Sequence, residues 1–120
     1  MAYDPKNIFA RILRSEIPCK KVFENDHVLA FHDINPQAPV HVLIVPKQRI
    51  PRIAEAGPQD QALLGHLLLK AAEVARQLGL ANGYRLVINN GADGGETVPH
   101  LHCHISVSYT HLTLPTIYSV

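Results

Sequence analysis

The chain has no tryptophan, one methionine and two cysteines, and only 6% of its 120 residues are aromatic. Cys19 and Cys103 cannot build the multi-bridge framework of a small disulfide-held domain. Their default reading is a pair of free thiols in a reducing compartment. Neither sign of charge is in excess: 11 Lys and Arg against 10 Asp and Glu leave a formal charge of +1. That balance supplies no electrostatic drive toward nucleic acid or an acidic membrane. Long hydrophobic runs are missing too. The most apolar stretch, Ala62 to Leu69, is broken by Gly65 and His66, whereas a membrane span needs about 20 mostly apolar residues. The first nine residues carry Asp4, Pro5 and Lys6 in place of the apolar centre of a secretory signal. The expectation is a cytoplasmic protein with neither nucleic acid nor membrane as partner.

What is present points to one globular domain. Hydrophobic residues make up 47% and charged residues 18%, enough for a core and too little charge for disorder. Histidine is abundant, with eight copies at 27, 32, 41, 66, 100, 102, 104 and 111. Ile8, Phe9, Ile12 and Leu13 recur at helical spacing, and the pattern predicts a short helix over Pro5 to Arg14 with Asp4 as its cap. Lys21 to Glu24 and His27 to His32 flank Asn25-Asp26 and read as a hairpin. After the Pro36 and Pro39 loop, Val40 to Val45 is a strand apolar enough to be covered on both faces, apart from His41. A long helix follows, starting near Pro58 and Asp60 and ending near Gly79, with Leu63, Leu67, Ala71, Val74 and Leu78 as its apolar stripe. Tyr84 to Ile88 and Val98 to Val107 are further strands around a glycine-rich loop. The expected class is α+β: a mainly antiparallel five-stranded sheet with one short and one long helix.

The sharpest local feature is His100-Leu101-His102-Cys103-His104. On a strand, alternate side chains share a face, so three imidazoles would project together at steps of about 7 Å while Leu101 and Cys103 face the core. Packing has no use for such a row. Two chemistries do. Neutral imidazoles bind zinc, although a structural site needs a fourth ligand. Alternatively, one imidazole attacks phosphorus while its neighbours fix its tautomer and bind oxygens. The preceding GADGGE loop favours the second chemistry. Gly91, Gly94 and Gly95 allow close backbone approach, and their amides with the Thr97 hydroxyl could donate to phosphate oxygens. The loop is not a P-loop, since Gly-Lys-Ser/Thr is absent and no helix follows.

HLHCHI matches the HxHxH core of the histidine triad superfamily of nucleotidyl hydrolases and transferases. IFARILRSEIPCK, FENDHVLAFHDINPQAPVHVLIVPK, LLGHLLLKAAEVA and GYRLVINNGADGGETVPH resemble its Hint branch, the purine nucleoside phosphoramidases, in their bacterial-type form. The likeness runs from about Ile8 to Ile105. It implies the fold of that superfamily, with no cofactor and no metal, a purine nucleotide as substrate and a two-fold homodimer. In that dimer the long helix and the strand from Tyr84 to Ile88 face their partners. Position by position, the resemblance makes His102 the nucleophile and His104 the histidine that contacts phosphate. His100 becomes the residue whose backbone orients the nucleophile, and His41 the more distant histidine near the leaving group. Asp33 corresponds to the carboxylate that binds the ribose hydroxyls. Ile8, Phe9, Ile17, Phe31, His32 and Ile34 correspond to the nucleoside pocket. Asn89, Gly95 and Thr97 correspond to groups around the phosphate and leaving group.

On the residues alone, His41 reads as a core histidine, Asp33 as a turn or cap residue, and the apolar members as core. Three rival functions share these features: a non-catalytic nucleotide-binding module, a dinucleoside polyphosphate hydrolase of a related branch, and a zinc-binding protein. The sequence leaves the family pattern after Ile105, where SVSYTHLTLPTIYSV has neither Gly-Gly-Arg nor tryptophan. The expected organisation is therefore a domain over 1–105 and a divergent tail, foreign to the family, over 106–120. That tail would be loosely packed, with Pro115 interrupting the alternation of Leu112, Leu114 and Ile117.

Overall fold

In the computed structural model, residues 3–36 and 38–107 are described. Asn7 starts the first helix, because its side-chain oxygen accepts from the Ala10 amide at 2.8 Å. The helix, α1, therefore runs Ile8–Leu13 and not from Pro5. Asp4, expected as its cap, instead accepts from the Lys6 amide in the turn before it. The hairpin forms around Asn25-Asp26 as expected: β1 is Lys21–Glu24, β2 is Val28–His32, and the pair is antiparallel. Its turn is built by Asn25, whose side-chain oxygen accepts from the amides of His27 and Val28 at 2.8 and 2.9 Å.

Strand β3 spans Val40–Pro46 and is buried along nearly its whole length. His41, expected to be the exception, is itself only 5% exposed. The long helix α2 covers Gln61–Gln77, and Gly79 just beyond it takes φ +76, a conformation glycine reaches without strain. Two short strands complete the sheet, β4 at Arg85–Val87 and β5 at Cys103–Val107. The strands order as β1-β2-β3-β5-β4, with every pairing antiparallel. Among the described residues no helix is long and apolar enough to cross a membrane.

The alternation of side chains gives the sheet two different faces. Val28, Ala30, Val42, Ile44, Cys103 and Ile105 pack with Leu67, Ala71, Val74 and Ala75 of α2. Leu29, Phe31, Leu43 and Val45 pack with Phe9 and Ile12 of α1. Each such aliphatic side chain contributes roughly 1.5–3 kcal/mol on burial.

The last strand is shorter than the expected Val98 to Val107. Residues 98–102 are held by other bonds: the Leu101 amide donates to the Ile50 carbonyl at 2.7 Å, and the His100 amide to the Val98 carbonyl at 2.9 Å. β5 continues past Ile105 through Ser106 and Val107, with Ser106 opposite His41. The rest of the expected tail, including His111, Leu112, Leu114, Pro115 and Ile117, lies outside the described residues.

Candidate active site

On the face of the sheet that α1 covers, a cavity of about 440 Å³ opens between α1, the ends of β2 and β3, and the segment entering β5. Ile8, Phe9, Ile12, Phe31, Leu43 and Val98 give it apolar walls. Asp33, Asn35, His41, Thr97, His102 and His104 supply its polar groups. Pairing explains part of this grouping: Leu43 stands opposite His104 in the ladder, and His41 lies two residues away on the same face.

The three histidines do not form one row. Because the strand begins only at Cys103, simple alternation does not govern His100 and His102. His100 is fully buried, with Nε2 at 2.8 Å from the Pro46 carbonyl oxygen and Nδ1 at 2.5 Å from the Tyr3 hydroxyl. It does not border the cavity. Its own carbonyl reaches Nδ1 of His102 at 2.6 Å. A carbonyl oxygen only accepts, so the proton of His102 sits on Nδ1 and Nε2 keeps its lone pair. Phe9 lies edge-to-face on the His102 ring, with centroids 4.8 Å apart.

His104 and His41 form a second unit. Nε2 of His41 is 2.8 Å from Nδ1 of His104 and 3.5 Å from a carboxylate oxygen of Asp33. The carboxylate favours the proton on Nε2 of His41, which then donates to His104. Nε2 of His104 is left carrying the other proton, buried and without a partner. A buried unsatisfied donor is costly, on the order of 1–3 kcal/mol, and is suited to an incoming oxygen anion.

Burial keeps all four rings neutral. Desolvation pushes His100 down to about 4 and His104 down to about 3, and it lowers His102 and His41 as well. Cys103 is buried on the opposite face, and desolvation raises its thiol to about 12, which removes it as a nucleophile.

The glycine loop corrects an expectation. Its amides do not stand ready for phosphate. The Gly91 amide donates to the Glu96 carboxylate at 2.8 Å, and the Gly94 and Gly95 amides donate to the Gly91 and Ala92 carbonyls at 3.1 Å each. Gly91 and Gly95 take φ of +76 and +81 to close this turn. Arg52 braces it from β3's side of the chain, binding both carboxylate oxygens of Glu96 at 2.8 and 3.0 Å. Thr97 is the member of this region that borders the cavity.

Of the residues singled out in the sequence, Ile8, Phe9, Phe31, Asp33, Ile34, His41, Thr97, His102 and His104 are brought together around the cavity. Ile17 packs behind it in the α1-side core. His32 points instead toward an adjoining groove of about 770 Å³, which shares Asp33, Ile34 and His41 with the cavity but holds neither His102 nor His104. Asn89 and Gly95 do not border the cavity. Sequence reading missed Ile12, Asn35, Leu43 and Val98, of which Ile12 and Leu43 were within its reach. Ile12 is one helical turn from Ile8, and Leu43 is two strand residues from His41.

Among the described residues, Asp33, His41 and His104 place potential metal-ligating atoms within 4.8 Å of one another. Two nitrogen ligands on tetrahedral zinc stand about 3.3 Å apart at Zn–N bonds of ~2.0–2.1 Å. The 2.8 Å His41–His104 contact is instead the length of a hydrogen bond with a proton between the rings. The pair would have to lose that proton and part to accept an ion.

Comparison with known proteins agrees with this architecture. The HIT domain family matches residues 14–111. An HIT-like protein of Synechocystis sp. is 61% identical over 98 residues, covering 82% of this chain and 86% of that protein. The crystal structure of an HIT family hydrolase from Legionella pneumophila superposes with a TM-score of 0.83 at 42% identity, over 90% of this chain and 96% of the other. A histidine triad nucleotide-binding protein from Candida albicans superposes with a TM-score of 0.76 at 30% identity, over 83% and 73% of the two chains. The chain belongs to the HIT domain family.

Proposed function

We propose that this protein is a nucleotide-binding hydrolase of the Hint branch. In this reading it cleaves the P–N bond of purine nucleoside 5′-phosphoramidates through a nucleotidyl-histidine intermediate. The observation that carries the reading is the tautomer of His102. Its Nδ1 is engaged by a carbonyl at 2.6 Å, which leaves an unprotonated Nε2 on a side chain that borders the cavity. The relatives described as an HIT family hydrolase and as a histidine triad nucleotide-binding protein support the hydrolase and nucleotide-binding parts of the reading.

Nε2 of His102 attacks the α-phosphorus in line. The new N–P bond forms as the P–N bond to the amine breaks, and the leaving nitrogen takes a proton from solvent. The imidazolium adduct is stabilised through its Nδ1–H by the His100 carbonyl. Water then attacks phosphorus and the electron pair returns to Nε2. Nucleoside monophosphate leaves and one proton is released. The Nε2–H of His104 and the Thr97 hydroxyl stabilise charge on the phosphoryl oxygens, and His41 holds His104 in the donor tautomer. Ile8, Phe9, Ile12, Phe31, Ile34 and Leu43 receive the base and Asp33 the ribose, which positions phosphorus for attack.

A homodimer belongs to the same proposal, through the long helix and the region from Tyr84 to Ile88 as the resemblance implies, but by residues of α2 outside its apolar stripe. The α2 stripe is consumed by the protein's own core, since Leu67, Ala71 and Val74 are at most 1% exposed. The candidate contact is instead Leu68 and Leu69 of α2 with Tyr84 and Leu86 around edge strand β4, all exposed.

The test is release of AMP from adenosine 5′-phosphoramidate. Turnover that falls by about 10³-fold or more in His102→Ala, with AMP binding retained, is the expected result. AMP binding without turnover in the unaltered chain would favour a non-catalytic module. Faster cleavage of dinucleoside polyphosphates would favour the related branch.

A further inference from the structure

We infer that Tyr3 is a positioning residue for the His102 nucleophile, acting through His100. The inference rests on the hydrolase reading for its kinetic consequence but on hydrogen-bond geometry for its substance. The chain of contacts has only one consistent assignment of protons. The Pro46 carbonyl can only accept, so Nε2 of His100 carries the ring proton across their 2.8 Å contact. His100 has no solvent exposure, and a buried imidazole without an anionic partner is neutral. Its Nδ1 is therefore an acceptor, and the Tyr3 hydroxyl is the donor across 2.5 Å.

The ring of His100 is thus pinned at both nitrogens, one by the last residue of β3 and the other by the segment preceding α1. Edge contacts from Tyr3 and Phe9, at centroid separations of 5.5 and 6.4 Å, fix its plane. The Arg49 guanidinium, 5.6 Å above the Tyr3 ring, holds the tyrosine from outside. A residue with its side chain pinned in this way has little freedom to rotate its own carbonyl. That carbonyl is the group that holds His102 at 2.6 Å in the nucleophilic tautomer. Tyr3 touches neither the cavity nor His102, so its influence passes through His100 alone.

The substitution Tyr3→Phe removes the hydroxyl and leaves the ring. The expected kinetic result is a fall in kcat on adenosine 5′-phosphoramidate of roughly 3- to 10-fold with KM within twofold, since the base and ribose contacts are untouched. The expected spectroscopic result is read from the nitrogen resonances of ¹⁵N-histidine-labelled protein. In the unaltered chain His102 shows a protonated Nδ1, and His100 a protonated Nε2 with an accepting Nδ1. In Tyr3→Phe the His102 signals move toward a mixture of tautomers.

A purely structural tyrosine would lower the melting temperature and leave both kcat and the His102 resonances unchanged, and that result overturns the inference. So does a rise in KM with kcat intact. A protonated Nδ1 on His100 in the unaltered protein overturns it without any variant. If the resonances shift as expected in a chain that does not turn over phosphoramidate, the positioning role stands and the hydrolase reading falls.

Discussion

The two faces of the central sheet are built from alternate residues of the same strands, yet one is a dry apolar seam and the other ends in a cavity with imidazoles on its wall. On β3, Val42 and Ile44 turn toward α2 while Leu43 turns toward α1 with His41 beside it. On β5, Cys103 and Ile105 join the α2 seam while His104 borders the cavity. The difference comes from the lengths of the covering helices. At 1.5 Å per residue the 17 residues of α2 reach about 25 Å, whereas the 6 residues of α1 reach about 9 Å. A six-residue helix cannot roof its whole face. The part it leaves open is where Asp33, His41, Thr97, His102 and His104 meet.

If this division is real, stability and chemistry can be damaged separately. The largest expected effect is on the α2 face. Leu67→Ala removes a side chain that is 1% exposed and should cost about 2–5 kcal/mol, or roughly 10–20 °C in melting temperature for a domain of this size. Below the new transition, kcat per folded molecule should stay within about twofold. Calorimetry and initial rates on the same preparation decide the matter, and a comparable collapse of kcat would mean that the faces are coupled.

A second effect, of intermediate size, belongs to the other face and depends on pH. Burial holds His100 at about 4 and His104 at about 3, against an unfolded value of 6.5. Between pH 6.5 and about 4 the unfolded chain therefore binds protons that the folded chain refuses. Stability is full above that window and falls as the pH drops through it, with His100 alone accounting for on the order of 3 kcal/mol. The carboxylates act later. Glu24, held down to about 2 by its bonds to Lys21 and Lys47, costs stability only below its ordinary value of 4.5. Urea midpoints should stay nearly level from pH 7.5 to 6.5 and fall from there to 4.5, and Leu67→Ala should shift the whole curve by a constant amount. A flat profile over that range would show that the rings take up protons in the folded state as readily as in the unfolded one.

Much of this was legible in the residues because period and burial are local signals. The 3.6-residue stripe of α2 and the short apolar runs of β2 and β3 between turn residues announce their elements directly. The same reasoning failed at His100 to His102, where strand periodicity was extended into a segment that the sheet does not hold. What holds it is the Ile50 carbonyl, the Pro46 carbonyl and the Tyr3 hydroxyl, partners 51, 54 and 97 residues away. No local pattern encodes such contacts. The glycine loop misled for a related reason. Three glycines reveal a permissive backbone, but not that Glu96 and the loop's own carbonyls take up its amides. Asp33 and His41, ordinary turn and core residues on their own, became site residues only through resemblance. The fold then brought them within 3.5 Å of each other.

The smallest expected effect concerns Asp33, which sits where the two kinds of role meet. One of its carboxylate oxygens accepts from the Asn35 amide at 2.9 Å, a turn contact, and the other lies 3.5 Å from His41. If it also receives the ribose hydroxyls, Asp33→Ala should weaken ribonucleotide substrates by roughly 1.5–3 kcal/mol, the range for hydrogen bonds to a charged group. The change should appear as a rise in KM of about 10- to 100-fold with a smaller change in kcat. Asp33→Asn preserves the acceptor for the Asn35 amide and removes the charge, so it separates the turn contribution from the ribose contribution. A 2′-deoxy substrate completes the comparison. In the unaltered protein it should lose affinity relative to the ribonucleotide, and in Asp33→Ala most of that difference should vanish, because the partner of the missing hydroxyl is gone as well. A preference for ribose that survives both substitutions would assign ribose recognition elsewhere and return Asp33 to the turn that its sequence context suggests.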